Sequence, residues 1–412
     1  MTRGSWAFFV APVTVMLMLL IFYFVSLLFF FISAWFAKSI GVVEPLVWKF
    51  KWLPSFGLDL IFKIDSFRAG FSTLIFLVGG VIVLFSSSYL RNCKRRFAFL
   101  FHFFVFTLVM AGIVLSDQLL LTFVFWELTS VSSYFLISLE SENEIARKNA
   151  LQALLVTSFG GLFLFAAILG MGNVFESYSI TTALLELEKL ELSNHANWIL
   201  ICVFVACFTK SAQIPFHFWL QGAIVAPIPA SAVLHSAMVK AGIFLLYILK
   251  PVFDFHPWWQ PTLTLIGAMT FVWGTFWAFA QMDLKKALAG TTTAVLGLLT
   301  LILALPGERY HAVFISLLLA HALYKSALFL FVGSIERGTK TGMLTELSGL
   351  KYKMPKTAYG LAVGLFSMAG FPPALSFFAK EALLEALEAS PWASYLTAAV
   401  LLSFSVNAAY CA

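Results

Sequence analysis

Long apolar runs constrain this chain more than any other feature of its sequence. A transmembrane helix needs about 20 mostly apolar residues, and the 412 residues supply many such runs. Charged residues make up only 11% of the chain, well below the level of a soluble domain, so much of the surface must face lipid. The runs do not alternate between polar and apolar residues as barrel strands do. The sequence therefore predicts an all-α polytopic membrane protein.

These runs predict about 12–13 transmembrane helices. They cover residues 8–34, 68–90, 97–116, 118–139, 149–171, 197–220, 228–249, 258–281, 285–305, 310–334, 357–372 and 391–412, with a half-helix at 375–388. Two helices are predicted to be broken, because proline interrupts the apolar pattern near Pro215 and at Pro372 and Pro373. The first run is too long for a signal peptide and lacks a cleavage site, so we expect it to be retained. The last run has no polar flank, and we expect a C-terminally truncated chain.

The loops suggest an orientation and limit the ligands. Basic residues crowd the short loop that contains Arg91 and residues 94–96, and this loop is predicted to be cytoplasmic. Helix parity then places loop 36–67 outside, although it carries four lysines. The net charge of +6 fits this loop asymmetry better than nucleic-acid binding. None of the four cysteines forms a C-x-x-C pair, so disulfide, zinc and iron–sulfur sites have little support.

Ionisable residues within the predicted spans are the candidate functional residues. A charge at the centre of a bilayer costs about 2.5–3.5 kcal/mol, so such residues are rare unless they are paired or functional. Glu127 and Lys210 lie in different predicted spans, where opposite charges on neighbouring helices would each keep the other ionised. Lys380 follows the second break, and broken helices mark ion sites in transporters.

Two further spans carry both a lysine and a histidine. His321 and Lys325 are four residues apart and therefore lie on one helix face. His235 and Lys240 are five residues apart and fall on opposite faces of a regular helix. Imidazole titrates near neutrality, and burial disfavours the charged form of lysine. Buried lysines on four separate helices therefore indicate a lateral string of protonatable sites.

Several linked motifs resemble the antiporter-like subunits of the Mrp-type Na+/H+ antiporter and, more distantly, those of respiratory complex I. The matching motifs are the acidic segment 125–130, the lysine motif 208–213 followed by 215–220, the segment 321–325, and the break at 370–373 with Lys380 and Glu381. The resemblance is strongest to the N-terminal part of the large A subunit and covers roughly residues 50–390. It implies two regions, an N-terminal helix with an external loop over 1–67 and an antiporter-like proton-translocating domain over 68–412.

The resemblance also implies roles for the buried residues. Glu127 and Lys210 would form a coupled pair, Lys240 with His235 a relay, His321 with Lys325 the central relay, and Lys380 the exit. The chain would conduct protons within a hetero-oligomeric antiporter in the inner (plasma) membrane, beside other membrane subunits, with Na+ as the exchanged cation. No cofactor is implied, and the chain itself would carry no catalytic chemistry.

The sequence departs from the family around Lys240. In the family the matching Lys lies six positions after the His, and in this chain it lies five positions after it. An extra residue in a helix often forms a π-bulge. Its loss predicts a regular helix through 233–242, with His235 and Lys240 on different faces. An acid is also missing after Leu220, where the family has L-P-D-A-M.

Three alternatives stay open at this point. The chain could be a proton-pumping subunit of a complex I-like oxidoreductase or membrane-bound hydrogenase, in which case only its partners would differ. It could bind haem through His102, His235 or His321, although the sequence places no second histidine in a suitable neighbouring position. It could also be a passive structural subunit, which the repeated cost of buried lysines argues against.

Overall fold

The computed structural model describes residues 45–53, 58–139, 142–307 and 309–388. The predicted spans at 8–34 and 391–412 lie outside these described residues. Within them, eight helices are long and apolar enough to cross a membrane. The helices pack side by side around one apolar core, which confirms the predicted all-α membrane fold.

A short antiparallel hairpin precedes the first described helix. Its strands are β1 (Leu46–Leu53) and β2 (Leu58–Ile64), with Leu46 opposite Ile64. This segment was predicted to be part of a loop and no strand was expected in it, although apolar and basic residues alternate over 48–52 with the period of a strand. The hairpin lies inside the predicted external loop 36–67 and leads directly into the bundle.

The helices follow one another with short connections. In chain order they are α1 (Ser66–Tyr89), α2 (Arg96–Leu115), α3 (Leu119–Ile137), α4 (Glu144–Phe175), α5 (Ile180–Leu185), α6 (Leu187–Glu191), α7 (Ala196–Lys210), α8 (Phe218–Gly222), α9 (Ile228–Val233), α10 (Lys240–Phe253), α11 (Trp259–Phe279), α12 (Leu284–Ile302), α13 (Arg309–Thr339), α14 (Leu350–Lys353), α15 (Pro355–Ala369) and α16 (Leu375–Glu388). A π-helical turn, Leu234–Met238, joins α9 to α10.

Side-chain caps fix where several helices begin. The carboxylate of Asp65 accepts a hydrogen bond from the backbone N–H of Arg68 at the start of α1. The amide oxygen of Asn143 does the same for α4, and the carboxylate of Asp283 for α12. These short polar side chains satisfy backbone donors that the first helical turn leaves free. They set the span boundaries to within a few residues of those predicted from hydropathy.

Contacts between loops define the two ends of the bundle. At one end, Phe62 of β2 pairs with Ser116, and Gln118 pairs with Ser179. At the other end, Arg337 donates hydrogen bonds to the carbonyl oxygens of Ser88 (2.9 Å) and Tyr89 (2.8 Å). The basic loop after α1 and the end of α13 therefore share one end, and the hairpin lies at the opposite end, as helix parity predicted.

Two breaks interrupt the bundle at the predicted positions. Helix α7 ends at Lys210, and helical structure resumes only at Phe218. Helix α15 ends at Ala369, followed by Gly370 with a φ of 83°, a left-handed conformation that glycine adopts without a steric cost. Both breaks lie next to a buried lysine, since Lys210 closes α7 and Lys380 lies in α16.

Candidate functional site: buried charges across the bundle

The side chains of Glu127 and Lys210 both lie at the junction of α3, α4 and α7. The ammonium group of Lys210 is fully buried and donates to the carbonyl oxygen of Trp126 and the hydroxyl of Ser130, both at 2.9 Å. The carboxylate of Glu127 instead accepts a hydrogen bond from Ser158 Oγ at 2.9 Å. Within the described residues the two charges are near enough to interact electrostatically. They do not form a direct ion pair there.

Two consecutive glycines in α4 allow this close packing. A Cβ atom added to Gly161 would overlap Oε1 of Glu127. A Cβ atom added to Gly160 would overlap Oγ1 of Thr209, which precedes Lys210 in the chain. Any other residue at either position would require the side chain of Glu127 or Thr209, or the helix that carries it, to shift. The glycines therefore set the distance between the helices that carry the acid and the lysine.

The helix around His235 corrects one prediction from the sequence. A regular helix was predicted through 233–242, but Leu234–Met238 form a π-helical turn. The backbone N–H of Val239 donates to the carbonyl of Leu234, a bond that spans five residues. The predicted regular helix was therefore wrong, and the Lys240 ammonium lies 3.3 Å from the carbonyl oxygen of His235.

Two sets of contacts accompany the π-helical turn. The imidazole of His235 stacks on Phe329 of α13, with 4.6 Å between ring centroids. The ammonium of Lys240 donates to the carbonyl oxygens of Ser236 at 2.6 Å and His235 at 3.3 Å. A π turn leaves carbonyl oxygens that a regular ladder would occupy. The spacing of His235 and Lys240 in the sequence does not reveal these contacts, because Phe329 lies on another helix.

Lys325 lies in the interior of the bundle. Its side chain is fully buried and faces α12, where the ammonium donates to the carbonyl oxygen of Leu288 at 2.7 Å and to the hydroxyl of Thr291. His321 lies one turn earlier on α13 and is also fully buried. The charges of His321, Lys325, Lys240 and His235 all interact. These four side chains form the central cluster of the site.

The two imidazoles of the central cluster lack protein partners. Within the described part of the chain, the ring nitrogens of His235 and His321 have no hydrogen-bond partner. The Ser236 hydroxyl has none there either. Buried polar atoms are almost always satisfied by protein or by water. The cluster therefore offers several adjacent sites where water molecules can bond.

Lys380 lies at the second break and contacts the end of α15. Its ammonium donates to the carbonyl oxygens of Met368 at 3.0 Å and Ala369 at 2.8 Å. These carbonyls end a helix and have no partner within it. A cavity of about 100 Å³ lies nearby, and its lining includes Leu288, Thr291 and Met368. Leu288 and Thr291 accept hydrogen bonds from Lys325, and Met368 accepts one from Lys380, so acceptors of both lysines line the same cavity.

Some polar residues around the site were missed in the sequence analysis. Ser130, Ser158 and Thr291 bind the predicted charges directly, but single hydroxyls within apolar runs give no signal of their own. Arg68 and Asp117 form a buried ion pair, with 3.5 Å between Nη2 and Oδ1, at the hairpin end of the bundle. Both lie at predicted span boundaries, where charged residues usually reach water. Their positions in the sequence therefore suggested no contact.

The bundle has two broken helices and buried lysines on several helices. These features define a class of polytopic membrane proteins with protonatable side chains distributed through the membrane interior. The family described as NADH:quinone oxidoreductase/Mrp antiporter, transmembrane region, matches residues 116–405. This chain belongs to that family. The predicted resemblance is therefore confirmed, and the chain is a multi-pass protein of the plasma membrane.

Individual relatives agree with this family. The Na(+)/H(+) antiporter subunit A1 of Staphylococcus aureus (strain JH9) is 36% identical over 348 residues, which is 81% of this chain and 43% of that protein. The same subunit from strain Newman gives the same values. This chain thus spans less than half the length of these curated relatives.

Solved structures share the fold. A chain in the Mrp complex from Dietzia sp. DQ12-45-1b superposes with a TM-score of 0.85 at 33% identity, over 91% of this chain and 42% of that one. A chain of the membrane-bound sulfane sulfur reductase, an archaeal respiratory membrane complex, gives a TM-score of 0.79 at 22% identity, over 95% of this chain and 80% of that one. At this identity the second comparison shows the fold alone.

Proposed function

We propose that this chain is a proton-conducting membrane subunit of a multisubunit Na+/H+ antiporter. The observation that carries the proposal is the central cluster, where Lys240, His235, His321 and Lys325 are buried together with unsatisfied imidazole nitrogens. Two neighbouring buried lysines would only destabilise a bundle whose role is purely structural. They are useful for proton transfer, because each group can take up the proton that its neighbour releases.

The proposed route runs laterally through the bundle. Protons move from the Glu127 and Lys210 pair to the central cluster and on to Lys380. Water molecules bonded to the buried polar atoms that have no protein partner connect these groups. A change in the charge of one group alters the proton affinity of the next, since the members of each group interact electrostatically. Na+ is the proposed exchanged cation, and other membrane subunits are the proposed partners, because the relatives are named as Na+/H+ antiporter subunits.

The test is ion exchange by the complete complex in sealed vesicles. The chain is expressed with its partner subunits, purified, reconstituted and challenged with an inward Na+ gradient while internal pH is recorded. We expect Na+-driven proton movement that is lost when Lys325 is replaced by Ala. Co-purification with iron–sulfur subunits, together with the absence of Na+-dependent proton movement, would instead indicate a redox complex.

A further inference from the structure

Glu127 and Lys210 are each held by a serine rather than by each other. Lys210 donates to Ser130 Oγ, and Glu127 accepts from Ser158 Oγ, both at 2.9 Å. The two serines lie on different helices, Ser130 on α3 and Ser158 on α4. The acid and the lysine therefore point to different neighbours although their charges interact.

The geometry around α3 shows how this separation arises. Lys210 reaches across from α7 and contacts α3 at Trp126 and Ser130, one residue before Glu127 and three residues after it. The carboxylate of Glu127 leaves α3 on the side of α4 and packs directly against Gly161. One carboxylate oxygen, Oε1, has no hydrogen-bond donor among the described residues. That oxygen is available to a new donor without loss of the bond from Ser158.

Each serine hydroxyl suits a temporary contact. The Ser130 hydroxyl accepts from Lys210 and lies 3.3 Å from the carbonyl oxygen of Trp126, to which it donates. It can keep that backbone bond when the lysine leaves. A hydroxyl carries no charge and serves as donor or acceptor, so its bond to a charged group is weaker than a buried ion pair would be. Gly160 and Gly161 let α4 lie close to both neighbouring helices. An exchange of partners by side-chain rotation needs no separation of these closely packed helices.

We propose that Ser130 and Ser158 are positioning residues that hold Lys210 and Glu127 apart, and that proton transfer proceeds as the two charges exchange these hydroxyls for each other. This inference rests on the proposed function. It predicts that the hydroxyls act on one shared equilibrium, the separated or paired state of the two charges. Loss of either hydroxyl shifts that equilibrium towards the pair. Loss of the second adds little, because the pair has already formed.

The experiment is a double-mutant cycle with two matched controls. The test variants are Ser130→Ala, Ser158→Ala and their combination, made in the complete complex. The controls are Ser133→Ala and Thr157→Val, which remove neighbouring buried hydroxyls that bond only to the backbone of their own helix. Ser130→Thr keeps a hydroxyl at this position and is expected to behave like the wild type.

Two readouts separate this inference from the proposed function. The first is Na+-driven proton flux as a function of pH. The second is the infrared carboxyl band of Glu127, identified by its loss in Glu127→Gln and followed over pH without any transport. We expect each serine variant to lower flux by about tenfold, the scale of one hydrogen bond to a charged group. Each should also shift the pH midpoint of the band. The double variant should resemble the single ones, and the controls should match wild type.

The outcomes are distinct. If the double variant loses flux as the product of the single effects, or if the controls shift the band equally, the serines do not share one equilibrium and the inference is wrong. An unchanged band in both serine variants also overturns it. If the wild-type complex moves no Na+ while the band still responds to both serines without additivity, the proposed function fails and the positioning role stands.

Discussion

The ammonium nitrogen of Lys380 lies 2.8 Å from the carbonyl oxygen of Ala369, the last residue of α15. The carbonyl end of a helix carries a partial negative charge, which stabilises a cation there by about 0.3–1 kcal/mol and by up to about 2 kcal/mol when partly buried. One lysine thus links the two halves of the broken helix.

Replacement of Lys380 by Met should lower both stability and transport. The apolar side chain leaves the last carbonyls of α15 unsatisfied, so we expect a loss of about 1 kcal/mol in stability and a strong loss of proton flux. Thermal unfolding and vesicle transport measure the two effects. Lys351→Met is the control, because Lys351 is exposed. Normal flux in the Lys380 variant would exclude this lysine from the route.

Replacement of Lys325 should abolish proton movement. Lys325→Ala removes a protonatable group from the central cluster, and loss of a positioned proton-transfer group costs about 100-fold or more. Lys325→Arg should also fail, since arginine stays charged under almost all protein conditions. The measurement is Na+-driven proton flux at matched protein levels. Full activity of the arginine variant would show that a fixed positive charge is sufficient.

Glu127→Gln should lower proton-coupled transport strongly while the complex still assembles. Glutamine keeps a hydrogen-bond acceptor for Ser158 but has no charge with which to influence Lys210. Vesicle transport tests the first expectation, and size-exclusion chromatography tests the second. The control is Glu188→Gln, at an exposed acid outside the membrane-spanning helices. Rates equal to wild type in Glu127→Gln would remove this acid from the mechanism.

Gly161→Ala should destabilise the site where Gly70→Ala does not. The added methyl group at Gly161 overlaps Glu127 Oε1, and overpacking of this kind costs about 1–3 kcal/mol. At Gly70 nothing lies within 4 Å of the added atom, so alanine should stabilise α1 by about 0.5–1 kcal/mol. Thermal unfolding of both variants, with flux measured in parallel, compares them. Equal stability in the two would mean that α3 and α4 can separate at little cost.

The hydropathy of the sequence was sufficient to predict the membrane fold, the breaks near Pro215 and Pro372, and the buried lysines. Lipid requires long apolar segments and penalises each charge inside them, so both signals are local and can be read from one span at a time. The spacing of His321 and Lys325 was equally informative, because a regular helix places residues four apart on one face.

Only the tertiary structure decided which groups the buried charges contact. The serines that bind Glu127 and Lys210, the threonine beside Lys325 and the carbonyls beneath Lys380 belong to other segments of the chain. His235, in the π turn, likewise stacks on Phe329 of a distant helix. A sequence fixes the depth of a residue in the membrane through the length of its span. The rotation of each helix, and hence the partner of each charge, depends on packing between helices that are far apart in the chain.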